Sequence, residues 1–156
     1  MGLIASSDNH VGMPGRSYPG DRQIHTPFAG GLCAVWAEEN TRESLFEALR
    51  KRRCYGTTGA RIIVKFHLGA MPMGSIASGG QGRGLPLSIH VVGTGPLERV
   101  EVVRDLAVFR TLRSSGDSPD TLTATVEPDG SGPAMFYVRV FQEDGQRAWT
   151  SPIWQE

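Results

Sequence analysis

The placing of apolar side chains divides the chain into two unlike stretches. From Ala60 onward they recur every second residue. Ile62, Val64, Phe66 and Leu68 alternate with Arg61, Ile63, Lys65 and His67, and Leu87, Ile89 and Val91 alternate with Ser88, His90 and Val92. A period of two sends alternate side chains to opposite faces of an extended strand, so each run reads as a strand buried on one side. The same reading predicts strands over 99–104, 107–112, 121–126, 135–141 and 148–154. Gly79-Gly80, Gly93-Thr94-Gly95-Pro96, Asp129-Gly130 and Asp144-Gly145 separate the runs with residues that favour tight turns. About seven short strands at this spacing predict a mainly β fold, an antiparallel sandwich of immunoglobulin-like type. The paired cysteines and buried Trp of antibody domains are absent, so the expectation concerns architecture alone.

Ahead of Ala60 the pattern differs. Gly2-Leu3-Ile4-Ala5-Ser6 is a short apolar run that passes into Ser7-Asp8-Asn9-His10, which predicts a buried strand with a polar tip. Residues 11–31 follow neither period and are rich in Gly and Pro, as a long loop would be. Leu32 to Trp36 suggests another short strand. Thr41 is placed to cap a helix whose Leu45, Phe46, Ala48 and Leu49 share one face. Glu43 near its start and Arg50-Lys51-Arg52-Arg53 at its end suit the helix dipole, and Gly56 and Gly59 are the expected stop. The expected division is therefore a strand–loop–helix segment over 1–59 and a sandwich over 60–156.

Composition narrows the function classes. Sixteen basic residues balance sixteen acidic ones, so no net field draws the chain to nucleic acid or to an anionic membrane. No apolar run approaches the roughly 20 residues that cross a bilayer, and no secretory leader is visible at the start. A cytoplasmic location is the expectation. Cys33 and Cys54 are able to pair, but they lack metal-ligand spacing.

Candidate chemistry centres on Asp8 and His10. Two apart on a strand, a carboxylate and an imidazole face the same way and can reach one metal ion. The plainer alternative is an Asx turn at Asp8-Asn9 beside an exposed His10. His25 lies in the long loop, while His67 and His90 fall at alternating strand positions, as surface or cross-strand residues would. Cys54 is weighed as a nucleophile against a semi-buried structural thiol, since no base is identifiable. Tyr137, Trp149 and Trp154 are either core aromatics or a platform for a sugar or a peptide. Gly79-Gly80-Gln81-Gly82 has no following Lys-Ser and so does not read as a phosphate loop.

Gly2 to His10 resembles the last metal-binding motif of the polymerase and histidinol phosphatase (PHP) superfamily. The whole chain is similar to the C-terminal part of a bacterial family of unknown function placed in that superfamily. The stretches that carry the resemblance run from Gly31 to Glu38, Thr41 to Leu45, Ala48 to Arg50, Arg52 to Ile62 and Ser151 to Trp154. It implies a (β/α) barrel of which 1–59 is the remnant, and divalent metal (zinc, manganese or iron) with Asp8 and His10 as ligands. It also implies hydrolysis of phosphoesters by a metal-activated water. The superfamily's opening His-x-His pair does not occur here, and two ligands are fewer than a stable site needs. The expectation is a C-terminal segment of a metal-dependent hydrolase with an incomplete site, partnered by a second copy or by an upstream barrel. The alternative is a non-enzymatic β-sandwich module that binds a protein or a glycan.

Overall fold

The structure is a computed structural model that describes residues 2–7, 30–114, 117–129 and 132–156. It is mainly β, with a single short helix among the described residues. The order is β1 (Leu32–Val35), α1 (Arg42–Arg50), β2 (Cys54–Thr57), β3 (Ile63–Leu68), β4 (Met71–Pro72), β5 (Ile76–Ala77) and β6 (Leu87–Val92). Then follow β7 (Leu97–Arg104), β8 (Ala107–Leu112), β9 (Thr121–Val126), β10 (Ala134–Gln142), β11 (Arg147–Thr150) and β12 (Ile153–Gln155). Two sheets result. The smaller runs β4-β3-β6-β9 and the larger β8-β7-β10, with β11 and β12 end to end along the other edge of β10. β2 and then β1 extend the larger sheet beyond β11, and β5 extends it beyond β12. Every pairing is antiparallel except β12–β5.

The two sheets enclose one core. Val64, Phe66 and Leu68 of β3, Leu87, Ile89 and Val91 of β6, and Leu122 and Val126 of β9 line the small sheet's inner side. Val100 and Val102 of β7, Phe136, Val138 and Val140 of β10, Ala148 and Ile153 meet them from the large sheet. The period of two thus becomes burial: β10 alternates buried and half-buried residues along its whole length.

α1 begins where expected, with the Thr41 hydroxyl accepting from the Ser44 amide at 3.3 Å. It ends earlier than Gly56 would allow. The Arg53 amide bonds to the Ala48 carbonyl and the Arg52 amide to the Leu49 carbonyl, a Schellman closure. Arg52 rather than a glycine takes the left-handed conformation, at φ 59°. Its Nε donates to the Gly74 carbonyl at 3.0 Å and its guanidinium lies over the Trp154 ring, contacts that a glycine would not make. Phe46 is 67% and Leu49 42% exposed while Ala48 is buried and Leu45 half-buried, so α1 buries only part of its apolar side against the described residues.

The N-terminal expectations change most. Gly2 to Ser7 forms no strand. It crosses the outer face of β2 as an extended strap, with the Leu3 amide donating to the Ser151 hydroxyl at 2.9 Å. Gly56 permits this approach: a Cβ there would lie 2.8 Å from the Ala5 Cβ. β1 pairs antiparallel with β2, whereas a (β/α) barrel aligns its strands in parallel, so no barrel geometry occurs among the described residues. Gly59 lies between β2 and β3, and β2 is hydrogen-bonded to β11 from the far end of the chain.

Candidate functional site

Register assigns a side to every residue of the large sheet. Met135 pairs with Trp154, Tyr137 with Val103, Arg139 with both Trp149 and Glu101, and Phe141 with both Arg147 and Arg99. All stand on the face opposite the core, because Phe136, Val138 and Val140 point inward. Tyr137, Trp149 and Trp154, raised from sequence as a possible platform, therefore share one outward surface, and each is half-buried rather than sealed in the core.

Arginines organise this surface. The guanidinium of Arg99 lies 3.7 Å from the centre of the Phe141 ring, that of Arg147 5.4 Å and that of Arg139 5.9 Å. Glu101 ties two of them in place. It accepts from Arg99 Nε at 2.8 Å and from Arg139 Nε at 2.9 Å, and is itself only 8% exposed. Burial would push the Glu101 carboxyl upward, but the two guanidiniums more than offset it, so its pKa falls below the usual carboxylate value. Arg99 and Arg139 are thus held over the Phe141 ring by the carboxylate they share.

The outer face of the small sheet is different in kind. Lys65, His67, Ser88, His90, Thr121, Thr123 and Thr125 dominate it. His90 Nδ1 and the Thr123 hydroxyl are 2.8 Å apart across the β6–β9 pair. Burial, then the neighbouring Lys65 charge, lowers the His67 pKa. A cleft of about 450 Å³ opens beside it, lined by Trp36, Glu38, Arg53, Lys65, His67 and Met73. Trp36 donates its indole N–H to the Val64 carbonyl at 2.9 Å, and the Lys65 ammonium lies 5.2 Å over its ring. That ring is committed to holding the β3 edge.

The remaining sequence candidates fall as follows. Asp8, His10 and His25 lie outside the described residues. Cys54 is 2% exposed beneath the strap. Among the described residues no group of three or more His, Cys, Asp or Glu side chains is placed to hold a metal ion, and no helix is long and apolar enough to cross a membrane. Sequence reasoning picked out the three aromatics but missed Arg99, Arg139, Arg147 and Glu101. Their signal was present: Arg139 is two residues from Tyr137 and from Phe141, hence on the same face.

Comparison with known proteins gives relatives of unassigned function. Residues 17–76 match a family described as "Protein of unknown function (DUF3604)". The chain is 35% identical over 168 aligned residues to an uncharacterized protein of Chlamydia trachomatis, covering 99% of this chain and 27% of that protein. It is 34% identical over 168 residues to one of Chlamydia muridarum, with the same coverage. It is 39% identical over 141 residues to one of Chlamydia pneumoniae, covering 81% of this chain and 23% of that protein. The chain thus spans about a quarter of the length of the curated relatives it matches. No solved structure matches. These findings overturn the PHP resemblance, and with it the hydrolase and metal-binding reading, since neither the family nor the relatives point to such a protein. The metal motif within that resemblance was read as a strand ending in Asp8 and His10, and Gly2 to Ser7 forms no strand. What the chain resembles is the DUF3604 family pattern, over residues 17–76.

Proposed function

We propose that this chain is a β-sandwich binding module that holds a protein partner against the outer face of its large sheet. One observation carries the reading. Tyr137, Trp149, Trp154, Met135 and Phe141 share that face with Arg99, Arg139 and Arg147. Trp, Tyr, Phe, Met and Arg are the residue types enriched where proteins meet, and Trp, Tyr and Arg carry most of the binding energy there. A sheet face with no such duty is expected to look like that of the small sheet, with its Thr, Ser, Lys and His. The curated relatives carry more than two thirds of their length outside the matching region, so in them this face has other parts of the same polypeptide to meet. In the finer architecture we read an immunoglobulin-like sandwich. Its support is connectivity: β3-β6-β9 are neighbours in one sheet and β8-β7-β10-β11 in the other, so the chain crosses between sheets as Greek-key sandwiches do.

The test is selection of a displayed random-peptide library on the full chain, counter-selected on a Tyr137→Ala/Trp149→Ala variant. Both rings face outward, so the variant is expected to keep its fold by circular dichroism. Sequences bearing acidic residues, to meet the arginines, are expected to bind wild type and lose roughly tenfold or more on the variant. Peptides that bind both proteins equally, or a glycan array that lights up while the peptide selection stays empty, would reject a protein partner at this face.

A further inference from the structure

A second feature lies under the strap. Cys33 of β1 is opposite Gly56 of β2, and Cys54 is opposite Val35, so the two cysteines are diagonal neighbours on the same, outer face of the pair. Gly56 puts no side chain between them. Cys33 is exposed and Cys54 is buried. Cys54 Sγ lies 3.4 Å from the Leu3 carbonyl and 3.8 Å from the Ser151 hydroxyl, whose oxygen also accepts from the Leu3 amide. The thiols are close enough to shift each other's ionisation. Hydrogen bonding from the Cys33 thiol, with help from Ser151 and against burial, lowers the Cys54 pKa to about 6, while Cys33 is pushed upward. The Leu3 carbonyl favours the thiol form of Cys54, but one acceptor is outweighed by two donors.

From this geometry we propose that Cys33 and Cys54 form a reversible dithiol–disulfide site, with the exposed Cys33 as the point of entry for a low-molecular-weight disulfide. The proton between the two sulfurs shifts to Cys54, and the Cys33 thiolate attacks the small disulfide. A mixed disulfide forms at Cys33, and one small thiolate leaves and takes up a proton. Cys54 then gives up its proton and attacks Cys33 Sγ, which joins the two cysteines and expels the second small thiol. The protein gives up two electrons and the one shared proton, water supplies the second proton, and the small disulfide gains both electrons and both protons as two thiols. A disulfide asks for Cα atoms about 5.5–6 Å apart, and diagonal neighbours sit at about 7–8 Å, so closure draws the strands together by roughly 1–2 Å. β1 can make that move. It ends the large sheet and is bonded on one side only among the described strands. Cys54 Sγ lies 3.4 Å from the Leu3 carbonyl, so drawing it into a disulfide changes its packing against Gly2 to Ser7 and links the redox state of the pair to the strap.

The full chain is equilibrated in mixtures of reduced and oxidised glutathione, quenched with acid, alkylated, digested and mapped by mass spectrometry. The expected product is a Cys33–Cys54 cross-linked peptide that accumulates as the mixture becomes more oxidising and disappears when it is made reducing. Cys54→Ser is expected to trap glutathione on Cys33, and Cys33→Ser to leave the buried Cys54 unmodified in the folded chain. The wild-type map does not depend on either variant folding. Both cysteines recovered as free thiols at the oxidising end, Cys33 stopping at the glutathione adduct in wild type, or cross-links between separate chains would each overturn the proposal.

Discussion

Replacing Tyr55 with Phe removes one oxygen and keeps the ring in its place in the core. That oxygen joins the two sheets. It donates to the Ile62 carbonyl at 2.8 Å and accepts from the Val64 amide at 3.2 Å, while Ile62 and Val64 are 1% and 0% exposed. β4 pairs only with His67 and Leu68, so among the described residues the earlier part of β3 has no strand on that side and depends on side chains for its edge. Each buried backbone group left unpaired costs about 1–3 kcal/mol, and two groups at the lower half of that range give about 2–4 kcal/mol for Tyr55→Phe. For a chain of this size a loss of 3 kcal/mol lowers the melting temperature by about 6–12 °C. Urea titration should show a lower midpoint with an unchanged slope, because the surface exposed on unfolding is the same. A change below about 0.5 kcal/mol, the usual scale of an inconsequential surface substitution, would refute the claim that this hydroxyl seals the β3 edge.

The same residue makes a pH prediction with a definite sign. Burial raises the Tyr55 pKa, and the hydrogen bond with Val64 opposes it only in part. A group whose pKa is higher folded than unfolded lends stability below its unfolded value, about 10 for tyrosine, and loses it as pH rises through the folded value. The stability gap between wild type and Tyr55→Phe should therefore be constant at neutral pH and shrink in strong alkali. Trp36→Phe, which frees the Val64 carbonyl on the same edge, should be non-additive with Tyr55→Phe in a double-mutant cycle.

Three further outcomes are expected. Glu101→Gln leaves Arg99 and Arg139 facing each other without their shared counter-charge. It should cost about 2 kcal/mol at neutral pH and flatten the acid limb of the stability curve, since a carboxyl with a lowered pKa loses its contribution as pH falls below about 4. Leu106→Gly should stabilise the chain by about 1 kcal/mol in a thermal melt, because Leu106 is 83% exposed and held at φ 74° in the β7–β8 turn. A shortened chain starting at Gly59 lacks β1, β2 and the Tyr55 hydroxyl, and should melt below Tyr55→Phe; equal stability would make 60–156 a self-sufficient unit.

How much of this was legible depends on length and period. β6, β8 and β9 occupy the residues read for them; β6 is held in register because every second residue is buried, whereas β8 buries none and is placed by its pairing with β7. β2 was not foreseen. Its four residues, Cys54-Tyr55-Gly56-Thr57, are all buried, so they show no alternation, and the glycine reads locally as a helix stop. Its role is set by β11, almost a hundred residues later, which no local pattern reports. The end of α1 was misplaced for a related reason. Arg52 takes the conformation usually given to glycine, and its Gly74 and Trp154 partners belong to distant elements.

The candidate surface shows a finer limit of the same kind. Trp149 and Trp154 are five residues apart, an odd spacing, so an unbroken strand over 148–154 would send them to opposite faces. Alternation alone would then place one of the two in the core. The strand is broken at Ser151-Pro152, where the Thr150 hydroxyl takes over as acceptor for the Val138 amide. Proline has no amide to give to a ladder, and the break resets the phase between β11 and β12. Trp149 then pairs with Arg139 and Trp154 with Met135, two β10 positions of equal parity, and both rings emerge on the outer side. The proline that shortens the strand is what brings the two tryptophans onto one face with Tyr137.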